Sequence, residues 1–234
     1  PMNRRYHAQT IACHKCGPVL TLHEGGKQVA GLSSEEIFRR AAQMLASGET
    51  IAIKGVGGFH LACAVHAQSI ARLNALRKRT HKPYALLCRD IAMARALAHI
   101  SKTEEALLTS VARPIVIVKK ITDTPDLTAA SELDTIGIML PYPPLHHLLF
   151  RHYDKPIVMT SSNLSGEPIT TGVSEQFVAT VLNHNRTIAN AADDSVVKVI
   201  ADQPLFVRRS RGYVPRSMHV TASGGGTILA LGAE

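Results

Sequence analysis

The sequence predicts an α/β fold: a twisted, mixed open sheet flanked by helices. Two observations lead there. Short apolar runs rich in β-branched residues alternate with helical patterns along most of the chain. The 234 residues are 45% hydrophobic and 19% charged, with no long polar tract, so a buried core is within reach.

The first helix starts at Ser33, where Ser33-x-x-Glu36 reads as a capping box. Ile37, Ala41, Met44 and Leu45 then share one face, and Gly48 supplies the stop. Residues 50–54 read as a strand, and 67–78 as a helix with Ile70, Leu73 and Leu76 inward. Residues 84–88 form the next strand. Asp90 caps a helix through His99, and Thr103 caps another through Val111. Residues 114–118 are a strongly apolar strand, and 121–133 a loop. After a strand at 136–140, Pro144 opens a short helix to Arg151, at a position where a backbone amide has no helical partner. Residues 156–160 are a strand, the stretch to Gly172 is turn-rich, and 173–183 read as a helix. Residues 195–200 and 204–208 read as two strands joined by a tight turn at Asp202-Gln203.

The two ends differ from this central domain, which is assigned residues 25–218. Residues 1–24 hold Cys13-x-x-Cys16 with His7 nearby. A tetrahedral zinc site needs four ligands, so the segment reads as half of a zinc module, its other half upstream in a longer parent chain. Zn²⁺ is therefore expected only in the intact parent, with Cys13 and Cys16 as its ligands there. Residues 219–234 contain Gly224, Gly225 and Gly226, followed by Ile228-Leu229-Ala230-Leu231. They read as a linker and the first strand of a following domain. No internal repeat is visible.

The net charge of +8 favours anionic partners such as nucleotides, pyrophosphate or nucleic acid. No apolar run approaches the roughly 18 residues of a membrane-spanning helix, and residues 1–12 lack the apolar stretch of a signal peptide. A cytoplasmic protein without a membrane partner is expected. Cys63 and Cys88 stand singly in apolar surroundings and read as core thiols.

Four segments carry polar chemistry next to strands or helices, where α/β proteins place ligand loops. In Lys54-Gly55-Val56-Gly57-Gly58-Phe59-His60-Leu61 the glycines would let backbone amides approach an anion, or simply form a turn. No Gly-Lys-Ser/Thr closes it, so it is not a Walker A loop. Arg77-Lys78-Arg79-Thr80-His81-Lys82-Pro83 gathers cations where a helix passes into a strand, a group suited to a triphosphate or to a solvated helix end. Thr160-Ser161-Ser162-Asn163-Leu164-Ser165-Gly166 offers hydroxyl and amide groups to a phosphate, a ribose or a planar carboxamide, or forms a Ser/Asn turn. Asp193-Asp194-Ser195-Val196-Val197 precedes Arg208-Arg209-Ser210-Arg211-Gly212-Tyr213-Val214-Pro215. The paired Asp would sit near Mg²⁺ or cap a turn, and the Arg group suits phosphate. His146 and His147 are adjacent and do not share a helix face, so one packs while the other faces outward or toward a cleft. No Ser-His-Asp arrangement and no Cys paired with a base is present, which points to positioning and electrostatics instead of covalent catalysis.

Taken in order, these motifs, with Leu140-Pro141-Tyr142-x-Pro144-Leu145-His146-His147 among them, resemble the YrdC-like domain of HypF-type carbamoyltransferases over about residues 35–217. The start, Arg4-Arg5-Tyr6-His7 through Cys13-x-x-Cys16-Gly17-Pro18, is similar to the last knuckle of that family's zinc-finger region. The resemblance implies a YrdC-like fold with a concave basic cleft. It implies that carbamate and ATP form carbamoyl-adenylate and pyrophosphate, with Mg²⁺ inferred from ATP. A neighbouring domain of the parent chain would then pass the carbamoyl group to a partner protein's C-terminal cysteine, on the route to the cyanide ligands of [NiFe]-hydrogenase. Stand-alone relatives that make threonylcarbamoyl-adenylate carry a Lys-x-Arg…Ser-x-Asn pattern, which corresponds here to Arg77, Arg79, Ser161 and Asn163.

The resemblance assigns Arg79 and Lys82 to the triphosphate, with Arg77 beside them. It assigns Ser161 and Asn163 to the α-phosphate and the carbamoyl group, with Ser162 next to them at the nucleotide. Lys54 and His60 would line the acceptor side, and Arg208 or Arg209 would close over the nucleotide. The other readings are threonylcarbamoyl-adenylate synthesis for tRNA modification and a double-stranded RNA-binding module using the basic cleft.

Overall fold

A computed structural model describes residues 17–77, 83–164, 166–174, 176 and 178–218. The described residues form one mixed, twisted sheet with helices on both faces, as the sequence predicts. Its strands are β1 (Leu20–Glu24), β2 (Lys27–Gln28), β3 (Ile51–Lys54), β4 (Phe59–Ala64), β5 (Ala85–Leu87), β6 (Ala98–His99), β7 (Ile115–Lys120), β8 (Thr135–Met139), β9 (Ile157–Ser161), β10 (Thr180–His184), β11 (Val196–Ile200) and β12 (Gln203–Arg208). The order across the sheet is β12-β11-β7-β8-β5-β9-β4-β3-β10-β1-β2, with β6 paired to β7. Parallel pairs (β3 with β10, β5 with β8, β7 with β11) are interspersed with antiparallel ones.

The sequence places a core on each face of this sheet. On one face Ile70 and Leu73 of α2 (Ala67–Arg77), Ala94 of α3 (Ile91–Arg95), Leu108 of α4 (Lys102–Thr109) and Leu127 of α5 (Pro125–Ala130) pack on Phe59, Leu61, Val116, Ile138 and Val158. On the other, Phe38, Ala41 and Leu45 of α1 (Ser34–Ala46) join Leu145 and Leu149 of α6 (Pro144–Leu149) over Ile51, Ile53, Ala62 and Met159. Strand alternation assigns each residue its face. The cap at Ser33 forms as its spacing predicts, with the Ser33 amide donating to Glu36 at 2.7 Å.

Several elements differ from the sequence reading. Among the described residues of 173–183 no helix is formed: residues 180–184 are β10, inserted between β1 and β3. β1, just before residue 25, is paired into the sheet with β10 and buries Leu22 fully. The Gly-rich segment ends in strand β4, and the expected loop at 121–133 contains α5, capped by Thr124 with Pro125 in its first turn. The helix after Asp90 ends at Arg95, and β6 then pairs with β7. Ser101, not Thr103, caps α4 through a capping box with Glu104. The β11–β12 turn lies one residue earlier than expected, on Ala201 and Asp202, both at positive φ as a two-residue hairpin loop requires. Leu76 is exposed, and Arg77 takes the buried place at the end of α2. Residues 219–234 lie outside the described residues.

Candidate active-site cleft

The face covered by α1 and α6 is left open over β5, β7, β8 and β11. A cavity of about 450 Å³ lies there, in the range of small-molecule sites. Its floor is apolar: Ala85, Ile115, Ile117, Met139 and Met159, with Gly137 offering no side chain. Thr160 and Ser161 at the end of β9 supply polar groups, joined by His60, Asp193, Asp194 and Arg208. A larger cavity of about 910 Å³ lies elsewhere, lined by Gln43, Gly48, His66, Arg72, Asp126 and Lys155 among others. It contains none of the sequence-predicted site residues and none of the buried polar atoms that lack a partner.

The loop after β9 is fixed in detail. The Ser161 hydroxyl donates to Asn163 Oδ1 at 2.6 Å, and Asn163 Nδ2 donates to the carbonyls of Leu164 and Glu167. Ser162 is fully buried and its hydroxyl donates to Gln176. Gln176 donates in turn to Thr170 Oγ1 and the Gly172 carbonyl. Ser162, expected at the nucleotide, anchors the loop through this bond and is not among the residues lining the cavity. Arg77 donates to Thr160 Oγ1 and to the Asn163 carbonyl, holding the loop from the end of α2. Ser161 reaches the cavity; Arg77 supports the loop that presents it.

Strand alternation sets where Lys54, expected on the acceptor side, lies. It pairs with Phe59 across β3 and β4, its Nζ lies 5.7 Å from the Phe59 ring centre, and it donates to the His184 carbonyl. His60, the next residue on β4, points to the opposite face and lines the cavity. Lys54 thus lies across the sheet from the cavity, and burial lowers its pKa. The glycines beside it do not cradle an anion. A Cβ on Gly57 would stand 2.2 Å from the Ala192 carbonyl oxygen, and one on Gly58 would meet Ile169. The loop is pressed against its own chain, with the Ala192 amide donating to the Gly57 carbonyl.

In the cavity wall lies a buried polar group whose pairing is not legible in the sequence. His60 Nε2 meets Asp194 Oδ2 at 2.9 Å, and Arg211 Nε donates to Asp194 Oδ1 at 2.5 Å. Burial alone would raise the Asp194 pKa; pairing with His60 and Arg211 outweighs it and holds the carboxyl well below its usual range. Both Asp194 carboxylate oxygens thus have partners, one on His60 and one on Arg211. Among the described residues no group of three His, Cys, Asp or Glu could hold a metal. The Arg211 guanidinium lies 3.5 Å from the Tyr142 ring centre, and Tyr142 packs edge-on against His146. His146 is fully buried with no hydrogen-bond partner on either ring nitrogen, and burial followed by the His60 charge pushes its pKa down to about 3. His147 is exposed. One signal of this group is present in the sequence: the acidic pair before Ser195 and the Arg run after β12.

Of the two arginines expected to close over a ligand, Arg208 lines the cavity. Arg209 turns to the carbonyls of Tyr213 and Arg216. Arg79, Lys82, Cys13 and Cys16 lie outside the described residues. Among the described residues no helix is long and apolar enough to cross a membrane.

Comparison with known proteins gives two family matches. The Sua5/YciO/YrdC family, described as "Telomere recombination", matches residues 43–210, and the HypF finger matches residues 1–23. The carbamoyltransferase HypF of Rhodobacter capsulatus is 43% identical over 225 residues, 93% of this chain and 29% of that protein. A full-length HypF crystal structure in the phosphate- and nucleotide-bound form superposes with a TM-score of 0.80 at 40% identity, over 92% of this chain and 29% of the other. Sua5 of P. abyssi, at 20% identity and a TM-score of 0.66 over 76% of this chain and 54% of the other, shows the shared fold alone. The chain spans about 29% of the length of the HypF proteins it matches.

Proposed function

The chain belongs to the Sua5/YciO/YrdC family and begins with the HypF finger, and on that premise we propose that its cleft forms carbamoyl-adenylate within a longer carbamoyltransferase. The observation that carries this reading is the cavity: an apolar floor able to take a nucleobase, with Ser161 and Arg208 among its polar lining groups. A carbamate oxygen attacks the α-phosphorus of ATP. The bond from that phosphorus to the bridging oxygen breaks, and the electron pair leaves with pyrophosphate. Ser161 and Asn163 orient the α-phosphate and the carbamoyl group, and Arg208 neutralises charge on the nucleotide. Arg79 and Lys82 hold the triphosphate from the segment that joins Pro83, itself a cavity residue. Asp193, in the cavity lining, is the carboxylate that would hold a Mg²⁺ brought in with ATP, and the ion would neutralise phosphate charge there. The finger supplies Cys13 and Cys16 to a zinc site completed by the rest of the parent chain. The neighbouring domains of that chain, and a downstream protein with a C-terminal cysteine, are the partners this reading requires.

The test is pyrophosphate release from Mg-ATP with ammonium carbamate, with threonine plus bicarbonate as the comparison. Carbamate-dependent release supports the proposal. Release that needs threonine overturns it in favour of threonylcarbamoyl-adenylate synthesis. Salt-sensitive binding of duplex RNA that ATP does not displace overturns it in favour of RNA recognition.

A further inference from the structure

We propose that Arg211 is a positioning residue of the cleft, acting through Asp194 on both His60 and Arg208; this role rests on the nucleotide reading above. Arg211 itself does not line the cavity, whereas His60, Asp193, Asp194 and Arg208 do. Its side chain is 11% exposed, and each guanidinium nitrogen has an acceptor: Nε on Asp194 Oδ1, the other two on the carbonyls of Ala112 and Arg113, both at 2.9 Å. The Tyr142 ring covers its face. A planar fork held on three acceptors and stacked on a ring has one orientation.

That orientation is transmitted. One Asp194 oxygen is taken by Arg211 and the other by His60, so the carboxylate cannot rotate and the imidazole plane is set. The Asp194 carbonyl accepts a long hydrogen bond of 3.4 Å from Arg208. The backbone around Arg211 is tied to the same place. Its amide donates to the Asp193 carbonyl, and Ser195 Oγ links the Arg211 carbonyl to the Ser210 amide. Gly212, at φ +86°, has no room for a Cβ against Ala112. The chain leaving β12 is thereby clamped to the segment before β7 and to the segment before β11, and the clamp ends on two residues of the cavity wall.

Lysine at 211 keeps the charge beside Asp194 but cannot bridge two carbonyls and stack on Tyr142. The experiment compares the wild-type chain with Arg211→Lys by thermal unfolding, by ¹⁵N resonances of the His60 ring, and by Mg-ATP affinity. The result expected is a folded variant with shifted His60 ring resonances and Mg-ATP affinity weakened roughly tenfold or more. Asp194→Asn gives the same pair of changes, and the double variant is no worse than either single one, because both act through one contact. A folded variant with unchanged ATP affinity, or with weakened affinity and unmoved His60 resonances, overturns the role of Arg211. Should Arg211→Lys fail to fold, Tyr142→Leu, which removes the ring over the Arg211 guanidinium and does not line the cavity, supplies the same two readouts and decides the role by the same outcomes. Wild-type protein that binds no Mg-ATP overturns the nucleotide reading itself and this role with it.

Discussion

His60 and Asp194 are 134 residues apart in the sequence and 2.9 Å apart in the fold, with both side chains 5% exposed. The contact joins β4 to the segment before β11 in the lining of the cavity. Arg211 completes it with an ion pair at the other carboxylate oxygen.

Asp194→Ala leaves Arg211 as a buried cation without its carboxylate. Breaking a buried pair in this way costs roughly 3–5 kcal/mol. Urea unfolding is expected to show a loss of that order, and a loss below about 1 kcal/mol would contradict the paired geometry.

The Gly-rich loop is a packing feature. Gly57→Ala drives a methyl group into the Ala192 carbonyl and disturbs the hydrogen bond between these residues, costing roughly 1–3 kcal/mol or more. Val56→Ala, at an exposed neighbour, stays within about 0.5 kcal/mol of wild type. Equal midpoints for the two variants in urea would show that the loop does not press on residue 192.

Arg208 and Arg209 have different surroundings, the first lining the cavity and the second facing the carbonyls of Tyr213 and Arg216. Arg208→Ala is expected to weaken Mg-ATP binding by about tenfold with little change in unfolding, because a charge-assisted bond contributes roughly 1.5–3 kcal/mol. Arg209→Ala is expected to keep ATP affinity and to lose about 1 kcal/mol of stability with its carbonyl contacts. Calorimetry with the two variants side by side decides it, and the reverse pattern would exchange their roles.

Acid destabilises the fold through its buried histidines. His146 is pushed down to about 3 by burial and the His60 charge, and His184 to about 4 by burial and then Lys54. Below about pH 6.5 the unfolded chain binds protons that the native state refuses. The stabilisation is complete above that pH and is lost as pH falls toward the folded values. The slope is on the order of 1 kcal/mol per pH unit for His146, and smaller for the half-buried His184, where solvent screens the shift. Asp194, held low by its partners, adds a further loss below about pH 4. His146→Leu removes one of these groups, so its stability should fall less steeply between about pH 6 and pH 4. Parallel curves for variant and wild type would contradict the burial of a neutral imidazole.

What the sequence discloses follows from local physics. Caps at Ser33 and Asp90, Pro144 in a first turn and the apolar run at residues 115–118 declare their elements without tertiary partners. β10 is illegible in the same terms, because Val178, Val181 and Leu182 suit a helix face equally well. What makes residues 180–184 a strand is a slot between β1 and β3, whose residues are far away in the chain. Thr124 and Pro125 are a legible helix start that the short following run obscures. In the cleft, Ser161 and Arg208 are legible by residue type and position after strands. Lys54 and His60 stand close in the sequence, but alternation on the paired strands β3 and β4 puts them on opposite faces of the sheet. The Asp194 clamp is not legible, because its partners come from three separated segments and meet only when the sheet is assembled.

The central claim is that the open face of the sheet is a nucleotide site. The measurement that tests it most directly is a calorimetric titration of the 234-residue chain with Mg-ATP in moderate salt, alongside Arg208→Ala. The account predicts saturable one-site binding at micromolar to sub-millimolar affinity, weakened by that substitution. Absence of binding, or binding that Arg208→Ala leaves unchanged, would contradict it.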